Sequence, residues 1–93
     1  MKIKQGGDLL TLPNVGPALA RELQAAGIQN AEDLRRLGAK SAWHAVRRIN
    51  PERDCASSLL ALEGAVRGVR WMSIDATERR RLGAHAQEQR LKK

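Results

Sequence analysis

Apolar side chains recur along this chain at intervals of three and four residues, and glycine, proline and asparagine interrupt them every ten residues or so. That period is helical; strict alternation, which would mark strands, is missing. The pattern predicts an all-α protein, a compact bundle of about six short helices. Asp8 opens the first, a short run Leu9–Leu12 that Pro13-Asn14-Val15-Gly16 stops. The second starts at Pro17, buries Leu19, Leu23 and Ala26 with Ala20 at a close approach, and ends at Gly27. Asn30 caps the third, with Asp33 three residues on, and Leu34 and Leu37 face inward until Gly38. The fourth runs from Ala39 to about Ile49, with Ala42, Val46 and Ile49 inward and Arg47-Arg48 toward water. The fifth and longest, about Glu52 to Val69, repeats Leu59, Leu62, Ala65, Val66 and Val69 at helical spacing. Asp75 and Glu78 form a capping box for the sixth, which runs toward Leu91 with only Ile74, Leu82, Ala86 and Leu91 on its apolar side.

One pattern occurs twice. Asp8-Leu9-x-x-Leu12 precedes Gly16-x-x-x-Ala20, and Asp33-Leu34-x-x-Leu37 precedes Gly38-x-x-x-Ala42. Each reads as a capped helix, a glycine turn, then a helix with a small residue where it crosses a neighbour. The second copy lacks the Pro-Asn-Val segment, so its turn is shorter.

Composition narrows the class. With 93 residues the chain holds one small domain, expected over 8–91 behind a loose arm at 1–7. Phe and Tyr are absent and Trp occurs twice, so the core is aliphatic, with Trp43 and Trp71 as its bulky wedges. Cys55 stands alone, which rules out an internal disulfide, and no apolar run approaches the roughly 20 residues that span a bilayer. The expectation is a cytoplasmic domain without membrane contact.

Charge adds a partner class. The net charge is +7, and it is graded: +1 over residues 1–30, +2 over 31–60 and +4 over 61–93. The excess gathers at Arg79, Arg80 and Arg81 and in the last four residues. A basic excess suits nucleic acid through phosphate neutralisation, and it also keeps a small surface soluble.

The segment Leu12-Pro13-Asn14-Val15-Gly16-Pro17, continued by Ala20, Leu23 and Ala26-Gly27-Ile28, resembles a helix-hairpin-helix element, a module that holds the DNA backbone without reading sequence. A tight turn entering a helix presents free backbone N–H groups and the positive end of the helix dipole, which suit phosphate. Two departures stand out. Asn14 replaces the first hairpin glycine, and asparagine tolerates the left-handed backbone that the turn needs. Ala18 and Leu19 stand where Lys, Ser or Thr would hold phosphate, and Pro17 has no N–H. Arg21 is the first cation nearby. Packing is therefore the plainer use of this turn, with Asn14, Val15, Gly16, Ala18, Arg21, Arg79, Arg80 and Arg81 as the candidate nucleic-acid contacts.

Leu59 to Trp71, reading Leu-Leu-Ala-Leu-Glu-Gly-Ala-Val-Arg-Gly-Val-Arg-Trp, resembles the C-terminal domain of the TfoX/Sxy competence-regulator family. So do Ala26-Gly27-Ile28, the stretch Ala31-Glu32-Asp33-Leu34 with Leu37-Gly38-Ala39, and Ala42-Trp43; together they cover about Asp8 to Leu82. Family members often carry an N-terminal α/β domain ahead of this one, and the resemblance therefore implies a stand-alone or excised version. It also implies a role in regulating competence genes beside a transcription activator, through a protein partner, through DNA, or through pairing with itself.

The remaining polar residues argue against catalysis. Glu63 has Arg67 at i+4 and no second carboxylate at helical spacing, which reads as an ion pair. His44 and His85 lie far apart in sequence with no third ligand at metal spacing, and Ser57-Ser58 have no histidine or nucleophile elbow beside them. Neither a metal, a cofactor nor an enzymatic activity is expected. Gly64 and Gly68, four apart, are expected to let another helix approach. The reading is a non-enzymatic regulatory module. Direct DNA-backbone binding through Asn14–Ala18 and the basic last helix is the alternative.

Overall fold

The computed structural model describes residues 7–91, so the arm expected at 1–7 lies, except for Gly7, outside the described residues, as do the last two lysines. The chain forms five α-helices: α1 (Pro17–Ala25), α2 (Ala31–Leu37), α3 (Ala39–Ile49), α4 (Ala56–Arg67) and α5 (Ala76–Leu91). The first helix expected, at Asp8–Leu12, is instead a 3-10 turn, Gly7–Thr11. Five residues are too few to offset the cost of helix nucleation. Two further 3-10 turns, Pro51–Arg53 and Trp71–Ser73, join α3 to α4 and α4 to α5. The first of them corrects the expected start of the fifth helix: Asn50 bends the chain by accepting from Glu52 N–H, and α4 begins four residues later.

Local chemistry sets the ends. Asn30 Oδ1 accepts from Asp33 N–H at 2.8 Å, as its cap position required. Asp33 reaches back to Gln29 N–H at 3.3 Å, completing a variant of the capping box. Asp8 differs from expectation. Its carboxylate accepts from Ala31 N–H at 2.8 Å and so caps α2, 23 residues away, rather than its own turn. Asp75 does cap α5, through Thr77 N–H at 3.0 Å, but Glu78 turns outward to Arg67 instead of closing a capping box.

The core is one cluster in which Trp43, Leu9, Leu23, Leu34, Leu59, Leu62 and Val46 are fully buried. Burying each large side chain contributes roughly 1.5–3 kcal/mol. α4 lies at the centre, packed on α3 and α5 and touching α2. α5 buries only Leu82 and Ala86 along sixteen residues. Ion pairs also anchor it: Arg67, which bridges Glu78 and Glu63, and Arg90 to Asp54 at 3.7 Å. Ile49, expected inward, is 47% exposed at the last position of α3.

Candidate nucleic-acid interface

Asn14 sits at φ +71, the one non-glycine residue in the left-handed region among the described residues. Its side chain is turned inward rather than toward a ligand. Nδ2 donates to Val69 C=O at 3.0 Å and, more weakly, to Ala61 C=O at 3.4 Å, while Oδ1 accepts from Trp71 N–H at 3.2 Å. One amide thus ties the segment that follows α4, at Val69 and Trp71, to the turn before α1, and also reaches the Ala61 carbonyl within α4. Gly64 makes room for it. A Cβ there would lie 2.4 Å from Asn14 Nδ2 and 2.6 Å from Val69 C=O. The close approach expected at Gly64 is real, but a turn makes it and not a helix. Gly68 has a different task, at φ +75, as the left-handed cap that ends α4.

The rest of the turn is mixed. Val15 is buried, and its N–H points to Leu12 C=O at 3.4 Å. Gly16, Pro17 and Ala18 are exposed, and no side chain caps α1. They form one wall of a shallow cleft of about 390 Å³, whose other wall is the start of α4 with Cys55 and Ser57. Two helix N-termini therefore open on one space. The cation beside it, Arg53, is held by Glu22 at 2.5 Å, which Asn50 also grips at 2.9 Å, so its charge is largely matched. Burial pushes the Cys55 thiol up, but bonds from the Ser58 hydroxyl and from the N–H groups of Ser58, Cys55 and Ser57 more than reverse this, and it ends below its ordinary value.

The candidate arginines do not form one patch. Arg21 is exposed, one turn into α1 and three residues from Ala18. Arg79, Arg80 and Arg81 are successive on α5, so about 100° of helix rotation separates each from the next. Only Arg79 is brought to the turn region: its guanidinium lies 6.0 Å from the centre of the Trp71 ring, and its Nε is buried without a hydrogen-bond partner. Arg80 reaches Thr77 Oγ1 at 3.5 Å, and Arg81 is exposed.

The two tryptophans part company. Trp43 is fully buried, as expected, with Arg47 stacked 4.6 Å above it. Trp71 was expected in the core and is not; it is 40% exposed, next to Met72 at 57%. Its turn lies beyond the left-handed end of α4 at Gly68. Sequence spacing could not show this, because Gly68 ends the helical register before Trp71 is reached.

Residues 5–86 match the family described as TfoX C-terminal domain. The chain belongs to this family. Two solved structures from Listeria monocytogenes are similar across nearly the whole TfoX C-terminal domain. A crystal structure of an uncharacterized protein, in a triclinic form, is 35% identical with a TM-score of 0.84, covering 88% of this chain and 92% of that one. A protein of unknown function, in a tetragonal form, is 37% identical with a TM-score of 0.76, covering 82% and 92%. No curated protein matches.

One further pairing was invisible in the sequence. His44 on α3 and His85 on α5 face each other with their Nε2 atoms 3.4 Å apart, and both rings pack against Trp43. Arg47 approaches His44 Nδ1 at 3.4 Å and can only donate, so Nδ1 accepts and Nε2–H points at His85. Burial, then Arg47, His85 and Arg48, hold the His44 imidazole below its ordinary value and keep it neutral. Among the described residues no group of three or more His, Cys, Asp or Glu side chains converges as a metal site, and no helix is long and apolar enough to cross a membrane.

Proposed function

We propose that this TfoX C-terminal domain is a non-enzymatic regulatory module of the competence-regulator type that works by binding. One observation carries this reading. The Trp71–Met72 turn is exposed and apolar, yet the Asn14 amide fixes it rigidly to the bundle. A tryptophan left 40% exposed beside an exposed Met72 presents apolar surface to solvent, and Trp, Met and Arg are the residues enriched at interfaces. By contrast Glu63, the carboxylate weighed for catalysis, is engaged by Arg67, which also holds Glu78, and Glu22 is held by Arg53. The test uses a competence-gene promoter reporter in a host whose own copy is deleted. The Trp71→Ala/Met72→Ala double variant is expected to keep its helical circular dichroism and lose at least tenfold in reporter activation. Full activation by the double variant would overturn the reading.

A second reading has its own support. The uncapped start of α1 at Gly16, facing the start of α4 across the cleft, fits the helix-hairpin-helix use of this turn as a duplex-backbone site. Its measure is the fall of log K for duplex DNA with log salt, a slope near −0.9 for each phosphate neutralised. In this reading Arg21→Glu weakens binding more than changes at Arg80 and Arg81. No retention of duplex at low salt sinks it.

A further inference from the structure

From the setting of Trp71 we infer that this turn is a stacking site for single-stranded nucleic acid, with an unpaired base on the indole and phosphate held by Arg70 and Arg79. The inference rests on the reading of Trp71–Met72 as a contact surface and names the chemistry of its partner.

Three observations point the same way. The ring is accessible and already carries a guanidinium, that of Arg79, so an arriving base completes an arrangement of aromatic and cation on the outer side. The cations nearest it are Arg79 and its own chain neighbour Arg70, while of the acids nearby Glu78 is paired with Arg67 and Asp75 accepts from Thr77 N–H. Arg70, directly before the tryptophan, is exposed. The backbone beneath it is also anchored: Asn14 accepts from the Trp71 N–H and donates to the Val69 carbonyl, which fixes where the indole leaves the bundle. The same residue belongs to the turn that leads into α1. Duplex DNA hides its base faces and cannot use the indole in this way.

The probe is the oligonucleotide dT15, with a 15-base-pair duplex and poly-glutamate as comparisons. Because Trp43 is fully buried, fluorescence quenching on titration reports Trp71 alone. The expected result at low salt is saturable quenching by dT15 and little by duplex or poly-glutamate, with log K falling about 0.7 per log unit of salt for each phosphate contacted. By anisotropy of labelled dT15, Trp71→Ala should bind about tenfold to a hundredfold more weakly. Trp71→Phe should retain most of the affinity, a rescue that loss of structure would not permit. Equal binding by Trp71→Ala, or equal quenching by poly-glutamate, overturns the inference. If dT15 fails to bind while the double variant still loses reporter activation, the site takes a protein and the broader reading survives. If activation is unaffected, that reading falls as well.

Discussion

The two copies of the repeated pattern reach opposite ends. In the first, Leu9 and Leu12 are both buried, and the turn that follows is fastened to α4 through Asn14. In the second, Leu34 is buried but Leu37 is 45% exposed, and the turn is a single glycine, Gly38, at φ +89 and ψ +158, with no amide reaching elsewhere. Ala20 and Ala42, the small residues at the crossings, are equally buried. The shared pattern thus specifies helix, turn and crossing. Whether the turn becomes a joint of the whole molecule depends on the extra Pro-Asn-Val, which brings an amide within reach of the end of α4.

The largest test of this difference is a matched pair. Leu12→Ala should cost about 2–4 kcal/mol, and Leu37→Ala under about 1 kcal/mol, read as urea or thermal unfolding. Equal losses would show that the two copies are equivalent after all. Next comes the joint. Gly64→Ala should cost about 2–3 kcal/mol, since its methyl meets the Asn14 amide and a backbone carbonyl that cannot withdraw. Combined with Asn14→Gly, which keeps the left-handed backbone and removes the amide, the loss should be smaller than the sum of the two single losses. Strict additivity would break the claim that these residues form one contact.

Gly83 in α5 supplies the contrast to Gly64. A methyl there meets nothing within 4 Å, so Gly83→Ala should raise stability by about 0.5–1 kcal/mol, a few degrees in melting temperature. The smallest effect sharpens the comparison from the other side. α3, which the second turn leads into, is joined to α5 by the His44–His85 contact rather than by an amide. His44 titrates lower in the fold than in the unfolded chain. Between those two values the unfolded chain binds more protons, so stability is complete above about 6.5, the ordinary value, and declines as pH falls through the folded one. Protection factors of α5 amides, taken relative to intrinsic exchange at each pH, should fall on acidification before those at the Asn14 joint do, and His44→Gln should flatten that response.

Much of this was legible because it depends on neighbours in the chain. The helix period, the Asn30 cap, the left-handed tolerance of Asn14, the Glu63–Arg67 pair and the burial of Trp43 all follow from residues within a turn or two of one another. The family followed from the run Leu59–Trp71 for the same reason. What failed was long-range. Asp8 looked like the cap of its own turn and caps α2; Glu78 looked like half of a capping box and binds Arg67. Trp71 looked like a core wedge and stands in solvent, and the two histidines looked unrelated and touch. The candidate interface suffered most. The residue types were recognisable, but Val15 is internal, Arg80 and Arg81 point in different directions around a helix, and Trp71, expected in the core, is exposed.

The sequence by itself determined that this protein is helical, where its turns fall and which family it joins, because those depend on periodicity and on caps closed within a few residues. Only the tertiary structure decided which polar groups meet. A side chain such as Asn14 or Asp8 takes whichever unsatisfied backbone group the packing of distant helices brings within about 3 Å, and that distance is a property of the assembled bundle rather than of any segment.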